Sequence, residues 1–538
     1  MTDPPSPHSM AFAPASPARP SDPESLERAA QASLARRDAA PAAAQAETLR
    51  NTCPGRISGW IFGAQAAQIA GDLDRMHALA KEGAARAPGR ADMGFLLADA
   101  ERMTGNVAGA RARLKGLEAG LPPSPSPWAL LSSKYAELGQ FQDALRAATQ
   151  LQALAGGAHN GRALAAGALT ALGRMDEAEA LYDGLIASGC EDPDPHYQRA
   201  VLRRARPGEA ALDQTRRRLA READGSPASV PLHFAMAKLL EDTGQMDAAF
   251  DHLLAGAKAR RARLSYRVED DEAAVDAIIA TFNAEWLSRV AKAAPARETV
   301  FVMGLPRSGT TLVERMLSSH SKIASLGEIN DLAFAVMHAA GPSAGKAALI
   351  SQSASADMAR LGAHYQGAAR GYGVDASMLI DKTPANFLYA GLIAGALPGA
   401  RIIHLRRHPA ASGYAMFKML FRMGYPFSYE LEETARYIAA HRRLMDHWRG
   451  LIAAQILDVD YEKLVDSPEP EVRRMLDHLG LDWEPECLAF HENPAPTATA
   501  SAAQVREPIH TGSRDQWRAL EHRLAPLTET LERLGVTQ

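Results

Sequence analysis

The chain has 538 residues, of which 46% are hydrophobic and 23% charged, and its formal net charge is −4. This composition is ordinary for a folded protein and excludes disorder of the whole chain, and the slightly acidic balance argues against a large nucleic-acid-binding surface. At roughly 100–200 residues per domain, the length predicts two to four domains.

The N-terminal segment and the cysteines bear on the cellular compartment. Residues 1–24 are rich in Pro, Ala and Ser, and this composition predicts a disordered leader. A secretory signal is not predicted, because no basic segment precedes an apolar run. The three cysteines, Cys53, Cys190 and Cys487, are too far apart for a zinc site, and their odd number does not fit a framework of disulfides. No run approaches 18 apolar residues, so neither a membrane span nor membrane association is predicted. The expected location is the cytoplasm.

Residues 25–294 predict an all-α domain of helical repeats. Glycines that end one helix and begin a turn recur every 34 residues at Gly71, Gly105, Gly139 and Gly173. A weaker copy follows at Gly208, and another copy at Gly244. An apolar residue follows most of these glycines two positions later and a small one five positions later: Leu73, Val107, Phe141, Met175 and Met246, and Ala110, Ala144, Ala178 and Ala249. Period and pattern resemble the tetratricopeptide repeat, whose stacked copies form a superhelix with a groove for a peptide or protein. A structural spacer or dimerisation arm is the alternative.

From residue 297 to 538 the sequence predicts a three-layer α/β domain. Short apolar runs over Thr299–Met303, Arg401–Leu405 and Gln455–Val459 alternate with helical segments. This alternation is typical of a parallel sheet, which binds its ligand at the carboxyl ends of the strands.

A phosphate-binding loop is predicted directly after the first of these strands. Gly304 and Gly309 enclose four residues and are followed by Thr310 and Thr311, which is the spacing of a loop that holds a phosphate at a helix N-terminus. A loop for ATP would carry lysine where Thr310 stands. Arg307 can instead offer a two-pronged contact to phosphate or sulfate. A phosphosulfate donor therefore fits better than ATP, with an incidental glycine-rich turn and a kinase as alternatives.

The segment GLPRSGTTLVERMLSSH resembles the 5′-phosphosulfate loop of sulfotransferases. The region from about Val300 to Leu534 resembles the sulfotransferase domain of bacterial tetratricopeptide-repeat sulfotransferases, which are similar to animal tyrosylprotein sulfotransferases. The resemblance implies 3′-phosphoadenosine 5′-phosphosulfate as co-substrate and no metal. It implies an acceptor hydroxyl, with a protein tyrosine as first choice and a peptide or protein presented by the repeat groove.

Three catalytic residues follow from this resemblance. Glu328, in Leu326-Gly327-Glu328-Ile329, matches the catalytic base, which a phenol with a pKa of about 10 needs at neutral pH. Lys382, in Asp381-Lys382-Thr383-Pro384, matches the lysine at the oxygen that bridges phosphate and sulfate, and Arg307 acts from the loop side. The alternatives are a helix-terminal acid for Glu328 and an exposed loop lysine for Lys382.

The resemblance also implies a set of donor-binding residues: Pro306, Arg307, Ser308, Gly309, Thr310, Thr311, Arg407, Tyr461, Ser501 and Arg506. Arg407 matches the arginine of the 3′-phosphate site. The chain departs from the family at Ala415, where a serine is usual, and at Gln516, where a basic residue is usual. Ser412, one helical turn away from Ala415, is a candidate replacement.

Two other functions remain open from the sequence. One is sulfation of a carbohydrate or another small hydroxyl compound, and the other is a repeat scaffold with a degenerate, donor-binding domain, which Ala415 and Gln516 favour. His404 and His408 lack partners at metal-ligand spacing, so we predict no metal site. The sequence leaves the oligomeric state open.

Overall fold

The computed structural model describes residues 22–290, 299–422, 424–499, 501–509, 511–512 and 514–536. The predicted leader lies outside the described residues as far as position 21, and the first helix begins at Pro23, inside the predicted leader. The chain divides into two compact units, Met1–Pro88 and Gly89–Gln538. Within the described ranges, no helix combines the length and apolar surface needed to cross a membrane.

The first unit contains two helix pairs. Its helices are α1 Pro23–Ala35, α2 Ala39–Thr52, α3 Ser58–Ala70 and α4 Leu73–Arg86. Ala30, Ala46, Leu49 and Phe62 form its core. Helix α3 ends at Gly71, whose φ of +75° gives the left-handed cap that the repeat pattern predicts.

The second unit begins with five further helix pairs. They are α5 Ala91–Met103, α6 Val107–Glu118, α7 Pro125–Glu137, α8 Phe141–Ala153, α9 Ala158–Leu172, α10 Met175–Ala187, α11 Asp194–Leu202, α12 Ala210–Leu219, α13 Ser229–Asp242 and α14 Met246–Arg261. The repeat glycines between paired helices have positive φ angles. The alanines five positions after the glycines are buried: Ala110, Ala144, Ala178 and Ala249. Their small side chains let paired helices approach closely, and the predicted all-α repeat architecture is confirmed.

The last two helices of the predicted repeat domain pack with the α/β domain instead. These helices are α15 Val268–Thr281 and α16 Ala284–Arg289. Phe282, directly after α15, and Trp286 of α16 belong to the core that contains Trp448. The Trp286 indole N–H also donates a hydrogen bond of 2.9 Å to the Ala354 carbonyl. These helices repeat neither the glycine nor the alanine pattern. The predicted boundary between positions 294 and 297 lies outside the described residues.

Five parallel strands form the sheet of the α/β domain, in the order β2-β3-β1-β4-β5. They are β1 Thr299–Gly304, β2 Ile323–Gly327, β3 Met378–Asp381, β4 Arg401–Arg406 and β5 Ile456–Asp460. The predicted parallel sheet is confirmed, and β1, β4 and β5 coincide with the three predicted strands. Strands β2 and β3 escaped prediction because they are short and β2 is only half-buried.

Helices cover both faces of this sheet. The helices that follow β1 along the chain are α17 Thr310–Leu317, α18 Asp331–Ala340, α19 Lys346–Ser353, α20 Met358–Gly371, α21 Ala390–Ala396, α22 Pro409–Phe417, α23 Leu431–Ile452, α24 Tyr461–Asp466, α25 Pro468–Leu479 and α26 Ala525–Arg533. Along β1, Phe301 and Met303 enter one core, whereas Val300 and Val302 enter the other. This alternation is the period of two of a strand that is buried on both faces, and it produces three layers.

Candidate functional site

The phosphate loop joins β1 to α17 at the carboxyl edge of the sheet. Within it, Arg307 has a φ of +66° and Gly309 a φ of +106°. A Cβ at Gly309 would lie 2.6 Å from Cδ2 of Tyr461, so that only glycine fits between the loop and this ring. The loop therefore curves tightly around the N-terminus of α17, where backbone N–H groups can bind an anion.

Hydroxyl groups line the inside of this loop. Ser308 is buried, and its Oγ has no hydrogen-bond partner among the residues that the structure describes. Thr310 and Thr311 are buried in the first turn of α17, and Pro306 lines the adjoining cavity. A buried hydroxyl of this kind needs an acceptor or donor from a ligand or water, which agrees with an anion in the loop.

Arg307 connects the loop to a C-terminal segment, residues 493–499 and 501–509, which we call the strap. Its guanidinium donates hydrogen bonds to Gln504 Oε1, at 2.9 Å, and to the Ser501 hydroxyl. Burial, together with the nearby charge of Arg407, lowers the pKa of Arg307 to about 10. An anion between these cations would relieve their repulsion.

Arg407 and Tyr461 follow β4 and β5 at the same edge of the sheet. Arg407 Nη1 donates a hydrogen bond of 2.9 Å to the Arg307 carbonyl. Its guanidinium carbon also lies 4.6 Å from the centroid of the Tyr461 ring. Burial lowers the pKa of Arg407. The predicted donor-binding residues of three strand ends thus lie together around the phosphate loop.

Glu328 and Lys382 form an ion pair beside the loop. Lys382 Nζ lies 2.5 Å from Glu328 Oε1 and 3.5 Å from Glu314 Oε2. The Lys382 side chain is fully buried, whereas that of Glu328 is 43% exposed. Burial alone would lower the pKa of Lys382, but the two carboxylates raise it above its ordinary value. Glu314 was not predicted, although it lies one helical turn after Thr310.

Arg506 is the predicted donor-binding residue that the structure places elsewhere. Its Nη2 donates a hydrogen bond of 3.3 Å to the Ala171 carbonyl at the end of α9, and it does not line the cavity. The backbone N–H of Thr497 donates to the same carbonyl at 2.8 Å. Arg506 therefore connects the strap to a repeat helix. Ser501 and Gln504 of the strap, and not Arg506, contact Arg307 of the phosphate loop.

A cavity of about 880 Å³ joins these residues. The α/β domain contributes the phosphate loop, Glu328, Arg407, Tyr461 and Ser501. Helices α7 to α11 of the repeats form another part of its wall, so the two domains share one cavity. Its size and mixture of apolar and convergent polar groups are typical of a small-molecule site.

Comparison with known proteins identifies the α/β domain. Residues 299–485 match the model of the sulfotransferase family. This region is a sulfotransferase domain. The predicted resemblance to proteins that join tetratricopeptide repeats to a sulfotransferase domain is confirmed.

Two curated relatives and one solved structure illustrate the similarity. An uncharacterized protein of Aquifex aeolicus is 26% identical over 68% of this chain, which spans about half (49%) of that protein's length. A Caenorhabditis briggsae protein named "Putative protein-tyrosine sulfotransferase" is 26% identical over 41% of this chain and 80% of its own length. The sulfotransferase domain from the curacin biosynthetic pathway has 20% identity and a TM-score of 0.34, covering 45% of this chain and 97% of that one.

The departures from the family pattern lie at one end of the cavity in the sulfotransferase domain. Ala415 and Gln516 both line it, whereas Ser412 does not. Lys418, which sequence reasoning missed, lies there too, and its Nζ donates hydrogen bonds of 2.8 Å to Gln516 Oε1 and to Glu241 Oε1 of α13. A lysine from the chain after α22 thus places a positive charge beside Gln516. No local sequence signal marks a residue that depends on a repeat helix for its position.

The two histidines noted in the sequence have structural contacts. His404 Nδ1 lies 2.7 Å from Asp458 Oδ1, and the His408 ring stacks on Trp517 with centroids 4.8 Å apart. In the part of the chain that the structure describes, no group of three His, Cys, Asp or Glu side chains could hold a metal ion.

Proposed function

We propose that this protein transfers a sulfuryl group from 3′-phosphoadenosine 5′-phosphosulfate to an acceptor hydroxyl, with a protein tyrosine as the leading acceptor. The observation that carries the proposal is the Lys382–Glu328 ion pair of 2.5 Å beside a phosphate loop that contains Arg307 and has Thr310 where an ATP-binding loop has lysine. A base, a buried cation and an anion-binding loop are the groups that sulfuryl transfer needs.

The described residues fit an anionic donor. The donor, when bound, supplies the sulfuryl group. Pro306, Ser308, Gly309, Thr310 and Thr311 would hold its 5′ end at the N-terminus of α17, with Arg307 binding phosphate or sulfate oxygens. Arg407 would bind the 3′-phosphate beside Tyr461, and Ser501 of the strap would cover the nucleotide. The partnerless Ser308 hydroxyl and the neighbouring guanidinium groups of Arg307 and Arg407 support this fit.

Glu328 is the proposed base. Its exposed carboxylate lines the cavity, where it can accept the proton of an acceptor hydroxyl. Lys382 would stabilise the negative charge that develops on the oxygen leaving sulfur. Lys382 also forms an ion pair with Glu314, so it remains paired with a carboxylate when Glu328 turns to the acceptor.

A tyrosine side chain suits another part of the cavity wall. Apolar and aromatic residues line this part of the cavity, among them Leu420, Phe421 and Tyr425. They can pack against a phenol ring while Glu328 accepts its proton. The repeat helices in the wall support a peptide or protein as the acceptor's carrier, and the name of the Caenorhabditis briggsae relative points the same way.

The test is transfer by the full chain from donor carrying radioactive sulfur to a mixed panel of tyrosine peptides and glycans. We expect label on tyrosine, and Glu328→Gln should slow transfer about 100-fold or more without weakening nucleotide binding. Glu529→Gln, at an exposed position of α26, is the matched control. Label on glycans alone would replace the tyrosine acceptor. Absence of both transfer and donor binding in the wild type would overturn the proposal, and Mg²⁺-dependent ATP turnover would favour a kinase.

A further inference from the structure

Tyr197 brings a repeat-domain hydroxyl to the cavity. It lies on α11, lines the cavity and is 5% exposed. Its ring packs edge-to-face on Phe234 of α13, with centroids 6.4 Å apart and planes at 81°. Because packing fixes the ring, the position of the hydroxyl at the cavity wall is fixed as well.

The Tyr197 hydroxyl accepts a hydrogen bond but has no protein group to donate to among the described residues. The backbone N–H of Leu420 donates to the Tyr197 oxygen at 3.2 Å. Within the described part of the chain, no carbonyl or side chain accepts a hydrogen bond from the hydroxyl in return. A phenol both donates and accepts, and a buried donor without an acceptor is costly. The geometry therefore calls for an acceptor inside the cavity.

The surroundings indicate that this acceptor is an anion. Tyr197 and Arg307 line the same cavity, and the charge of each affects the pKa of the other. Burial raises the pKa of Tyr197 to about 12, against the opposing effects of the Leu420 N–H and Arg307, so that the phenol stays protonated near neutral pH. Arg407 adds a second positive charge beside Arg307.

We propose that Tyr197 donates a hydrogen bond to an oxygen of the anionic group that Arg307 binds. This inference rests on the proposed function, in which that group is the 5′-phosphosulfate end of the donor. The repeat domain then supplies a ligand-binding residue to the sulfotransferase domain. Helix α11 thereby forms part of the donor site as well as the cavity wall.

The test compares two nucleotides that differ in the 5′ group. Calorimetry measures binding of 3′-phosphoadenosine 5′-phosphate and of adenosine 3′-phosphate to the full chain and to Tyr197→Phe. We expect the variant to lose about tenfold in affinity for the bisphosphate, as for a hydrogen bond to a charged group, and to bind adenosine 3′-phosphate as the wild type does. Tyr182→Phe, which alters another buried tyrosine of the cavity wall, should change neither affinity.

The remaining outcomes separate this inference from the proposed function. Equal losses for both nucleotides would mean that Tyr197 only positions the Leu420 segment, and no loss would mean that it makes no contact; either result overturns the inference alone. A wild type that binds neither nucleotide would overturn the proposed function. Thermal melting of each variant shows whether the fold is intact.

Discussion

Lys382 lies between two carboxylates that differ in burial. The Glu314 side chain is 6% exposed, whereas that of Glu328 is 43% exposed. A buried charge persists only when it is paired, so Glu314 is the partner that Lys382 needs for stability. Glu328 can leave the pair at less cost because water reaches it. One carboxylate thus keeps the lysine charged while the other remains available to an acceptor.

This difference predicts separate effects on stability and activity. Lys382→Met should destabilise the protein by about 3–5 kcal/mol, because it leaves the Glu314 carboxylate buried without its cation. Adding Glu314→Gln should recover most of this loss but none of the transfer activity. Urea unfolding and a transfer assay measure the two effects. A double variant as unstable as the single one would contradict the assigned roles.

Asp381, the residue before Lys382, predicts a dependence of stability on pH. It accepts hydrogen bonds from Tyr365, at 3.1 Å, and Thr383, at 2.8 Å, and burial raises its pKa to about 7. Between about pH 4 and 7 the folded state keeps a proton that the unfolded state loses. Stability attributable to this group should therefore fall as pH rises, by at most about 1.4 kcal/mol per pH unit.

The measurement compares the wild type with Asp381→Asn, which removes the titrating group. Urea unfolding at intervals between pH 4 and 8 gives the free energy of unfolding for each protein. The difference in stability between variant and wild type should shift in favour of the variant as pH rises and level off above about pH 7. A difference that does not vary with pH would show that Asp381 ionises normally.

At the scale of elements, the strap connects the end of α9 to the phosphate loop. Thr497 and Arg506 donate hydrogen bonds to the Ala171 carbonyl. Ser501 and Gln504 accept hydrogen bonds from Arg307. A shift of the strap at one end should therefore change the position of Arg307 at the other. The repeat turn after α9 should thus contribute indirectly to the proposed donor site.

Two repeat glycines offer a matched test of this connection. Gly173 and Gly139 have φ angles of +80° and +70°, but a Cβ at Gly173 would lie 2.2 Å from the Arg506 guanidinium carbon, whereas one at Gly139 would meet nothing within 4 Å. Each change to alanine should cost about 1 kcal/mol from the left-handed backbone. Only Gly173→Ala should also weaken nucleotide binding, by a few-fold in calorimetry. Equal binding by both variants would show that displacing Arg506 does not disturb the strap.

Local patterns predicted the elements that depend on local geometry. The repeat glycines identified the turns, and the apolar runs identified β1, β4 and β5, because helix capping and strand burial leave their mark within a few residues. Strand β3 has four residues, too few for such a mark. The direction of the Arg506 side chain and the packing of α15 and α16 depend on contacts between segments that are far apart in the chain. A local sequence pattern does not reveal such contacts.

At the scale of the whole molecule, the repeat and sulfotransferase domains share a core within the second unit. Phe234 and Phe250 of the repeats pack with Phe417 and Tyr429. Arg261 of α14 also makes a two-pronged ion pair with Glu433 of α23, at 2.6 and 2.8 Å. A shared core of this kind couples the stability of both domains.

This coupling predicts that a repeat-domain change is felt in the sheet. Phe250→Ala should destabilise the second unit by about 3–5 kcal/mol, through loss of a buried aromatic ring. Hydrogen exchange should show a similar decrease in the opening free energy for amides of β1 and α14. Leu254→Ala, at a 41% exposed position of the same helix, should have little effect in either place. A decrease confined to α14 would indicate that the domains unfold separately.

Sequence reasoning selected Glu328, Lys382 and the phosphate loop, which the structure brings together, because each lies in a continuous motif. It selected no site residue from the repeat domain. Tyr197 reaches Leu420 across 223 positions, and Glu241 reaches Lys418 across 177. Such pairings depend on how the repeats dock onto the α/β domain, a long-range arrangement that neither periodicity nor motif spacing specifies.

The Ala171 carbonyl, which holds the strap, has a consequence for which changes the chain tolerates. Every amino acid supplies the same main-chain oxygen, so substitutions at position 171 that preserve the helix leave the acceptor of both hydrogen bonds in place. An insertion in α9 or in the turn at Gly173 would instead rotate or displace that oxygen. A change in repeat length should therefore be tolerated less well at this repeat than at one without contacts to the α/β domain, because here the spacing of the chain is constrained and the side chain is not.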